Sequence, residues 1–336
     1  MPVRLAINGF GRTGRALLRS VLVYHPELEV VAINDLGSPV ALARLFARDS
    51  VHGHFPDPVT VEDAAMVVGT RRIRMLTEPE PKALPWGELG VDVVVESTGA
   101  GTSRERATAH LDAGATRVVI SAPAHDPDAT FVIGVNEDQF DPSHDFIISN
   151  ASCTTNCLAV LAKVLDDAFD IEDGFMTTVH AYTGDQELVD TLHKDPRRAR
   201  AAALNIVPTT TGAARATGLV LPTVSGVLDG LALRVPVPDA SIVDLVANVR
   251  TSATVEDVKE AYRAAAGGGR LAGLLEYSEE PLVSSDIIGS PASCVFDSEL
   301  TMAHGRLVKV LGWYDNESGY SSRLADLVAI VGAAGR

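Results

Sequence analysis

The stretch Val3-Arg4-Leu5-Ala6-Ile7-Asn8-Gly9-Phe10-Gly11-Arg12-Thr13-Gly14 indicates the fold of the N-terminal half of the chain. Its first six residues are mostly apolar, as in a buried strand, and its last six match G-x-G-x-x-G directly after that strand. Glycines at these positions allow a tight turn and bring the backbone close to a pyrophosphate at the start of a helix. The stretch therefore predicts a dinucleotide-binding strand, turn and helix.

The residues after the motif agree with this prediction. Residues 15–23 have a helical pattern, and residues 28–34 form a second apolar strand that ends next to Asp35. An acidic residue about 20 positions after the last glycine can accept hydrogen bonds from an adenosine ribose. The alternative is a turn with spare glycines, which many α/β proteins contain, but Asp35 favours dinucleotide binding.

Further strands are predicted at 66–68, 91–96 and 117–121, with a helix at 103–113. Strands that alternate with helices imply right-handed crossovers and a parallel sheet with helices on its faces. Ser97-Thr98-Gly99 and Ser121 lie at the carboxyl ends of two of these strands, where open α/β sheets bind ligands. We expect them to line the cofactor cleft, although such residues also serve as simple turns.

The second half of the chain has a different pattern. Strands are predicted at 174–182, 227–235, 241–249, 292–296 and 307–314, with few helices between them, and residues 317–331 are again helical. Runs of strands with helices to one side indicate an α+β domain on a mostly antiparallel sheet. The predicted fold class is an α/β Rossmann domain, residues 1–150 completed by a C-terminal helix at 317–336, plus an α+β catalytic domain at 151–316.

The stretch Ser149-Asn150-Ala151-Ser152-Cys153-Thr154-Thr155-Asn156-Cys157 places a thiol where a strand leads into an amphipathic helix. Unpaired N–H groups and the helix dipole at such a position favour the thiolate, so we expect a lowered pKa for Cys153. A thiolate there is a candidate nucleophile, and the same N–H groups can hold an oxyanion. The alternative is a small buried residue with polar capping neighbours.

A nucleophilic cysteine needs a partner, and His180 lies at the end of a predicted strand. An imidazole within reach of Cys153 would stabilise the thiolate as an ion pair and act as acid or base. A structural histidine is the default alternative. Arginines can grip phosphate oxygens, but spacing alone does not choose among the three in Arg197-Arg198-Ala199-Arg200. Other polar candidates in loops or at strand ends are Thr183, Asp185, Thr211, Gly212 and Arg234.

Composition limits the classes of function. A chain of 336 residues suggests two domains, and 46% hydrophobic with 21% charged residues is ordinary for a globular enzyme. A net charge of −16 argues against a broad nucleic-acid or membrane-binding surface. No apolar run is long enough to span a membrane, and no signal peptide is evident. Three cysteines are too few for a disulfide framework, which favours a reducing cytoplasm.

The chain contains one potential metal motif, His52-Gly53-His54. Both histidines could face the same way on a strand, but no cluster of Cys, Asp or Glu completes a ligand set. The C-x3-C spacing of Cys153 and Cys157 is not a zinc pattern either. We therefore assign no metal and interpret the histidines as part of a polar loop.

Together, several stretches resemble the phosphorylating glyceraldehyde-3-phosphate dehydrogenase family over essentially the whole chain. Besides the glycine motif and the cysteine stretch, they are Pro208-Thr209-Thr210-Thr211-Gly212-Ala213-Ala214, Leu233-Arg234-Val235-Pro236 and Trp313-Tyr314-Asp315-Asn316-Glu317. The resemblance implies that Cys153 attacks an aldehyde and that His180 takes its proton. Hydride transfer to NAD then leaves a thioester that inorganic phosphate cleaves. Glyceraldehyde 3-phosphate and phosphate are the implied substrates, and a homotetramer is the implied assembly.

The resemblance also implies binding roles. Residues that would contact NAD are Gly9, Phe10, Gly11, Arg12, Thr13, Gly14, Asn34, Asp35, Leu36, Ser97, Thr98, Gly99 and Ser121, with Asn316 fixing the nicotinamide carboxamide. Residues that would hold the substrate phosphate or the cofactor edge of that site are Thr183, Asp185, Arg198 and Arg234. Residues that would hold the attacking phosphate are Ser152, Thr154, Thr211 and Gly212.

Alternatives remain at this stage. Asp35-Leu36 looks like the NAD-preferring forms, but Thr191-Leu192 replaces the usual Leu-Pro of NAD-specific bacterial members, so NADP is not excluded. An erythrose-4-phosphate dehydrogenase shares the cysteine and the histidine but hydrolyses its thioester more readily. A non-redox cysteine–histidine acyl transferase or hydrolase would not need the glycine motif. An interaction protein that has lost catalysis would not need an intact Cys153 and His180.

Overall fold

The computed structural model describes residues 1–334, so the last two residues of the predicted helix 317–336 lie outside the described part. The chain divides into two compact units. The first comprises Met1–Phe131, Glu137–Ala151 and the chain from Ser321 onward. The second comprises Val132–Asn136 and Ser152–Tyr320.

Within residues 1–334, the first unit contains eleven strands, three complete α-helices and most of a fourth. The strands are β1 (Val3–Asn8), β2 (Leu28–Asn34), β3 (Arg48–Asp49), β4 (Gly53–His54), β5 (Val59–Glu62), β6 (Ala65–Val68), β7 (Arg71–Leu76), β8 (Val93–Glu96), β9 (Arg117–Ile120), β10 (Ala129–Thr130) and β11 (Ile147–Ser149). The helices are α1 (Arg12–Tyr24), α2 (Pro39–Ala47), α3 (Arg104–Asp112) and α8 (Ser318–Ala333). Predicted element ends differ from these by a few residues.

The main sheet of this unit has the order β10-β11-β9-β8-β1-β2-β7-β6-β5. All pairs from β10 to β7 are parallel, which confirms the predicted parallel Rossmann sheet. The strands β5, β6 and β7 form an antiparallel meander. Sequence analysis predicted β6 as a strand at 66–68, but it did not predict β5, β7 or the antiparallel pairing. Strand β5 is half exposed at the sheet edge, so its residues carry little of the apolar pattern on which the prediction depended.

Side chains on both faces of this sheet are buried. Leu17 and Leu18 of α1 are fully buried, and Trp86 packs with Val91 and Val94 in one apolar cluster. Ala107 of α3 packs in another cluster with strand residues of β9 and β11. Because both faces are covered, the strands are nearly continuous apolar runs, as expected for parallel sheets.

The second unit contains eight strands and four further helices. The strands are β12 (Ile171–Ala181), β13 (Val207–Thr210), β14 (Leu228–Val235), β15 (Ser241–Val249), β16 (Leu275–Ser278), β17 (Cys294–Asp297), β18 (Met302–His304) and β19 (Leu307–Tyr314). The helices are α4 (Cys153–Phe169), α5 (Ala213–Val220), α6 (Val255–Gly267) and α7 (Ser284–Ile287).

The sheet of the second unit has the order β13-β14-β12-β15-β19-β17-β16, and β18 pairs with β19. The β12–β14 and β16–β17 pairs are parallel, and the other pairs are antiparallel. The predicted α+β domain with a mostly antiparallel sheet is therefore confirmed. In the part of the chain from residue 1 to 334, no helix is both long and apolar enough to cross a membrane.

Helix α4 fixes the position of the candidate nucleophile. Ser152 is its N-cap, and the Ser152 hydroxyl accepts a hydrogen bond of 3.0 Å from the Thr155 N–H. Buried residues on α4, including Leu158 and Leu161, pack it against β15, β17 and β19. Because the helix is capped and its body is anchored in the core, its first residue, Cys153, is held in place at the sheet.

Candidate active site

The first unit has a cavity of about 390 Å³ at the carboxyl ends of its parallel strands. Its lining includes seven of the predicted cofactor residues, which are Gly9, Gly11, Asn34, Asp35, Leu36, Ser97 and Thr98. The lining does not include the predicted residues Phe10, Arg12, Thr13, Gly14, Gly99 and Ser121. The cavity also has lining residues that sequence analysis did not assign, among them Asn8, Glu78, Glu96 and Arg106.

The glycines of the motif have the geometry that a dinucleotide requires. Gly9 has φ +93, and a Cβ there would lie 2.6 Å from the backbone nitrogen of Thr98. A Cβ on Gly14 would lie 2.2 Å from the Gly9 carbonyl oxygen. In contrast, a Cβ on Gly11 would meet no described atom within 4 Å. Two glycines thus allow close packing, and the third leaves space over the helix N-terminus for a phosphate group.

Asp35 is held at the edge of this cavity by backbone donors. Its Oδ2 accepts a hydrogen bond of 2.8 Å from the Phe10 N–H, and its Oδ1 accepts one of 2.8 Å from the Gly37 N–H. Each carboxylate oxygen keeps a second lone pair for a ribose hydroxyl. The residues present therefore fit an NAD ribose, whereas a 2′-phosphate would be repelled by the carboxylate.

Arg12 in the glycine motif is tied to Asp49, a residue that sequence analysis missed. The Arg12 Nη1 lies 2.6 Å from Asp49 Oδ2, and Asp49 Oδ1 accepts hydrogen bonds from the N–H groups of Val51 (2.8 Å) and His52 (3.1 Å). Burial raises the pKa of Asp49, but the two N–H groups and the Arg12 charge outweigh burial and lower the pKa to about 2. The turn after β3 thus anchors the dinucleotide loop.

The Asp49→Asn variant is expected to lose stability at pH 7, by on the order of 1–2 kcal/mol after allowance for solvent screening. Because the pKa of Asp49 is lower in the folded state, this stabilisation is present above pH ~4 and disappears as the pH falls towards 2. Urea unfolding of both proteins at pH 7 and at pH 3 measures it. The exposed Asp63→Asn variant is the control. A difference that stays constant between the two pH values would contradict the prediction.

In the second unit, Cys153 and His180 come together. Cys153 is the first residue of α4, and His180 is the penultimate residue of β12. The Cys153 Sγ lies 3.5 Å from His180 Nε2. His180 is buried, whereas the Cys153 side chain is partly accessible. The thiol therefore faces a ring nitrogen on one side and remains open to a ligand.

The hydrogen bonds of His180 indicate which ring nitrogen carries the proton. Its Nδ1 lies 2.7 Å from the Ala181 carbonyl oxygen and 2.9 Å from Arg234 Nη1. A carbonyl oxygen only accepts, so we assign the proton to Nδ1, which donates in the shorter contact. Arg234 Nη1 then donates to the same carbonyl oxygen, at 3.0 Å. This tautomer leaves the Nε2 lone pair directed at Cys153, as a general base requires.

The prediction of a lowered Cys153 pKa is wrong. Burial raises the pKa of the thiol, although the Arg234 charge and the Thr154 N–H act in the predicted direction. Burial and the charges of Arg234 and Arg198 lower the pKa of His180 to about 3, against a smaller opposite effect of the Ala181 carbonyl. At neutral pH the two groups are therefore a thiol and a neutral imidazole and not the ion pair that we expected.

Two arginines provide positive charge near this pair. The charges of Arg198 and Arg234 both lower the pKa of His180. The pKa of Arg234 is itself lowered, mainly by burial and to a smaller extent by the charge of Arg198. Arg234 Nε is buried and has no hydrogen-bond partner within residues 1–334. An anion would stabilise this arrangement, because it would offset the repulsion between the two guanidinium groups and accept a hydrogen bond from Arg234 Nε.

The structure selects one arginine from the basic run at 197–200. Arg198 forms an ion pair with Asp185, and its Nε donates to Thr209 Oγ1 at 3.0 Å. Arg200 pairs with Asp190 at 2.9 Å and is 60% exposed, whereas the Arg198 side chain is 16% exposed. Asp185 therefore acts here by orienting a guanidinium. Thr183 lies beside the other arginine of the site, with its hydroxyl 3.4 Å from Arg234 Nη1.

The other predicted phosphate-binding residues lie at two helix starts. Thr154 is in the first turn of α4, and its hydroxyl lies 2.9 Å from Tyr314 Oη, which lies 2.8 Å from Thr178 Oγ1. Gly212 is the N-cap of α5, and the Thr211 hydroxyl accepts a hydrogen bond of 3.2 Å from the Ala213 N–H. Sequence analysis missed Tyr314, because a tyrosine in an apolar strand is indistinguishable from a core residue.

Asn316 has its amide orientation set by a neighbour. The Ala181 N–H donates to Ser241 Oγ at 3.1 Å, and this hydroxyl donates to Asn316 Oδ1 at 2.7 Å. The amide NH₂ group of Asn316 therefore points away from Ser241 and can donate to a carbonyl oxygen. Sequence analysis also missed Ser241, since a serine at the start of a strand carries no functional signal.

Comparison with known proteins gives consistent results for both halves of the chain. A family model described as the glyceraldehyde 3-phosphate dehydrogenase NAD binding domain matches residues 3–104, and one described as the C-terminal domain matches residues 152–316. Glyceraldehyde-3-phosphate dehydrogenase 1 of Streptomyces avermitilis is 59% identical over 332 residues, which cover 99% of each chain.

Two further relatives have similar values. The glyceraldehyde-3-phosphate dehydrogenase of Kitasatospora aureofaciens is 59% identical over 330 residues, which cover 98% of this chain and 99% of the relative. That of Mycobacterium avium is 57% identical over 338 residues, which cover 99% of each. Matches of this extent place the protein in the glyceraldehyde-3-phosphate dehydrogenase family, whose members are NAD-dependent oxidoreductases that act on an aldehyde group.

Proposed function

We propose that this protein is a phosphorylating glyceraldehyde-3-phosphate dehydrogenase. It oxidises glyceraldehyde 3-phosphate with NAD and inorganic phosphate to 1,3-bisphosphoglycerate. The observation that carries the proposal is the placement of the Cys153 Sγ 3.5 Å from His180 Nε2 in a chain of this family. The arginines Arg198 and Arg234 beside this pair support a phosphorylated substrate.

In the proposed mechanism, the Cys153 sulfur bonds to the aldehyde carbon while His180 Nε2 takes the thiol proton. His180 then passes this proton to the aldehyde oxygen, which becomes a hydroxyl group. Bound NAD would supply the acceptor for the hydride of this carbon. His180 takes the hydroxyl proton in that step, so a carbonyl forms and Cys153 carries a thioester. A phosphate oxygen then attacks the thioester carbon, the carbon–sulfur bond breaks, and the leaving sulfur recovers a proton from His180.

The charges around His180 suggest how its basicity changes on binding. In the ligand-free protein, burial and Arg234 keep the pKa of His180 at about 3, too low for an efficient base at neutral pH. A phosphate dianion held by Arg234 and Arg198 offsets both charges, which raises the pKa of His180. The base is therefore strengthened when the substrate is in place.

We assign the binding roles by the resemblance together with this geometry. Residues proposed to hold the substrate phosphate are Thr183, Arg198 and Arg234, with Asp185 orienting Arg198. Residues proposed to hold the attacking phosphate are Ser152, Thr154, Thr211 and Gly212. Asn316 is proposed to fix the nicotinamide carboxamide through its amide group, which Ser241 orients.

The domain assignment is also part of the proposal. Residues 1–150 with the C-terminal helix would form the NAD-binding domain, and residues 151–316 the catalytic domain. Support comes from the division of the chain into two compact units and from the two family matches. Residues of the first unit proposed to contact NAD are the glycine motif 9–14, Asn34, Asp35, Leu36, Ser97, Thr98, Gly99 and Ser121.

A homotetramer is proposed as the assembly. The second unit exposes large apolar side chains that a second copy could cover, notably Phe175 (74% exposed), Leu192 (97%) and Leu204 (82%). Exposed apolar patches of this kind are typical of protein interfaces. A cytoplasmic location is also proposed, because Cys153, Cys157 and Cys294 are all free thiols in the structure, as in a reducing compartment.

Initial rates of NADH formation test the function. With glyceraldehyde 3-phosphate, phosphate and NAD, we expect turnover that requires phosphate and is faster than with NADP, because the Asp35 carboxylate repels a 2′-phosphate. Three parallel assays change one component each: erythrose 4-phosphate replaces the aldehyde substrate, phosphate is omitted, or NADP replaces NAD. Faster turnover of erythrose 4-phosphate, or release of a free acid without phosphate at the same rate, would overturn the assignment.

A further inference from the structure

A buried carboxylate, Glu96, lies beneath the cavity of the first unit and has no role in the chemistry above. Glu96 is the last residue of β8, is 4% exposed, and contributes to the cavity lining. A buried acid needs several hydrogen-bond donors or a cation to remain ionised. Its surroundings therefore indicate whether it is a structural residue or part of the cofactor site.

Neutral donors surround both oxygens of Glu96. Oε1 accepts hydrogen bonds from the N–H (2.9 Å) and the hydroxyl of Thr98. Oε2 lies 2.6 Å from Asn8 Nδ2 and 3.1 Å from His110 Nε2. Burial raises the pKa of Glu96, but the bonds from His110, Thr98 and Asn8 outweigh it, so the net direction is downward. Glu96 is therefore ionised at neutral pH.

The proton of His110 is fixed by Trp86. The Trp86 Nε1–H donates to His110 Nδ1 at 3.0 Å, and an indole N–H can only donate. His110 Nδ1 must therefore be the acceptor, so the ring carries its single proton on Nε2 and donates it to Glu96. The histidine is neutral, and no lysine or arginine in residues 1–334 forms an ion pair with Glu96. The negative charge is held by oriented dipoles alone.

A directed chain of amides extends from Glu96 across the carboxyl ends of β1 and β2. The Glu78 N–H donates to Asn34 Oδ1 at 2.8 Å, and Asn34 Nδ2 donates to Asn8 Oδ1 at 2.7 Å. Asn8 Nδ2 then donates to Glu96. Asn34 Nδ2 also donates to the Glu78 carbonyl oxygen at 2.9 Å, so the Glu78 main chain fixes the Asn34 amide. The Asn8 amide is then held between Asn34 on one side and the Glu96 carboxylate on the other. These residues form the floor of the cavity.

The backbone of the loop after β8 packs closely against the Glu96 carboxyl group. A Cβ on Gly101 would lie 2.4 Å from Glu96 Cδ, so only glycine fits there. The Thr98 N–H donates to Glu96, so Glu96 holds the main chain at Thr98. The same backbone packs closely against Gly9 of the glycine motif, because a Cβ on Gly9 would lie 2.6 Å from the Thr98 nitrogen. Glu96 therefore connects the loop after β8 with the loop after β1.

We propose that Glu96 is a positioning residue for the dinucleotide: its ionised carboxylate orients Asn8 and the Thr98 loop so that the cavity has its binding shape before the cofactor arrives. This inference rests on the proposed placement of NAD in that cavity. Glu96 itself is not proposed to touch the cofactor or to take part in hydride transfer. Its loss should therefore affect cofactor affinity more than turnover at saturation.

The Glu96→Gln variant tests the proposal. A glutamine amide has the same shape as the carboxylate, but its NH₂ group cannot accept a hydrogen bond. In either orientation this group would face donors, either Asn8 and His110 or the Thr98 N–H, so we expect the cavity lining to rearrange. We expect NADH to bind roughly tenfold or more weakly, as for a buried group that loses its acceptor. We also expect the KM for NAD to rise by a similar factor, with kcat at saturating NAD changing less than about twofold. Fluorescence titration with NADH and steady-state rates measure these values.

Two further variants make the test selective. Glu105→Gln removes an exposed carboxylate from α3 and should leave NADH affinity unchanged. His110→Phe removes one donor to Glu96 at a residue that does not line the cavity, and it should give an intermediate loss of affinity. This variant keeps the proposal testable if Glu96→Gln does not fold. The proposal is overturned if Glu96→Gln folds and binds NADH like the wild type, or if His110→Phe keeps full affinity. It is also overturned if the loss appears in kcat alone. Failure of the wild type to bind NADH would instead overturn the proposed function itself.

Discussion

The Cys153→Ala variant is expected to lose NAD-dependent oxidation of glyceraldehyde 3-phosphate by a factor of at least ~10⁴ in kcat, since no covalent intermediate can form without the thiol. The physical reason is local. Cys153 is the only partly accessible cysteine in the described chain, whereas Cys157 and Cys294 are fully buried, so no neighbouring thiol can replace it. Steady-state rates with saturating NAD and phosphate measure the loss.

Cofactor binding separates loss of chemistry from loss of structure. The cavity of the first unit is lined by residues of that unit alone, so Cys153→Ala should bind NADH with an affinity near that of the wild type. The matched control is Cys294→Ala, which also removes a thiol from the second unit but should keep its kcat within a small factor of the wild type. An active Cys153→Ala protein would refute the covalent mechanism.

Replacement of His180 by asparagine is expected to lower kcat by roughly 10²–10⁴, the usual contribution of a positioned general base. The imidazole is neutral at every pH above about 3 in the free protein, so it is in the proton-accepting form throughout the range from pH 6 to pH 9. In the variant, the Cys153 thiol must ionise by itself, and burial raises its pKa. The residual rate should therefore keep rising with pH up to at least pH 9.

The measurement is a pH profile of kcat/KM for both proteins, because kcat/KM reports the ionisation of groups in the free enzyme. The wild type should vary much less between pH 7 and pH 9 than His180→Asn does. His144→Asn, which changes an 80%-exposed histidine, is the control and should have the wild-type profile. If His180→Asn and the wild type had parallel profiles, His180 would not act on the Cys153 proton.

The choice among the arginines at 197–200 could not be made from the sequence. The run at 197–200 contains three equivalent candidates by spacing, and only the fold shows that Arg198 points to Asp185 and Thr209 while Arg200 pairs with Asp190 near the surface. The pKa of Cys153 shows a second limit. Position at a helix start favours the thiolate, but the opposing effect of burial depends on neighbours that are distant in the chain.

The amino-acid sequence by itself determined the features that depend on neighbours along the chain. These are the glycine turn at 9–14 after an apolar strand, the acidic residue Asp35 at the end of the next strand, and a cysteine at the start of an amphipathic helix. Periodicity and local backbone geometry act over a few residues, so they can be inferred without the fold. They were sufficient for the fold class and for the choice of Cys153 as a candidate nucleophile.

Only the tertiary structure decided the features that depend on which side chains meet. His180 is 27 residues from Cys153 in the chain, and Glu96 is 88 residues from its partner Asn8. Asp49 and Arg12 are likewise brought together from different elements. The charge and tautomer of a buried group follow from its desolvation and from the donors around it, and these are set by packing between elements. No local pattern in the sequence encodes them.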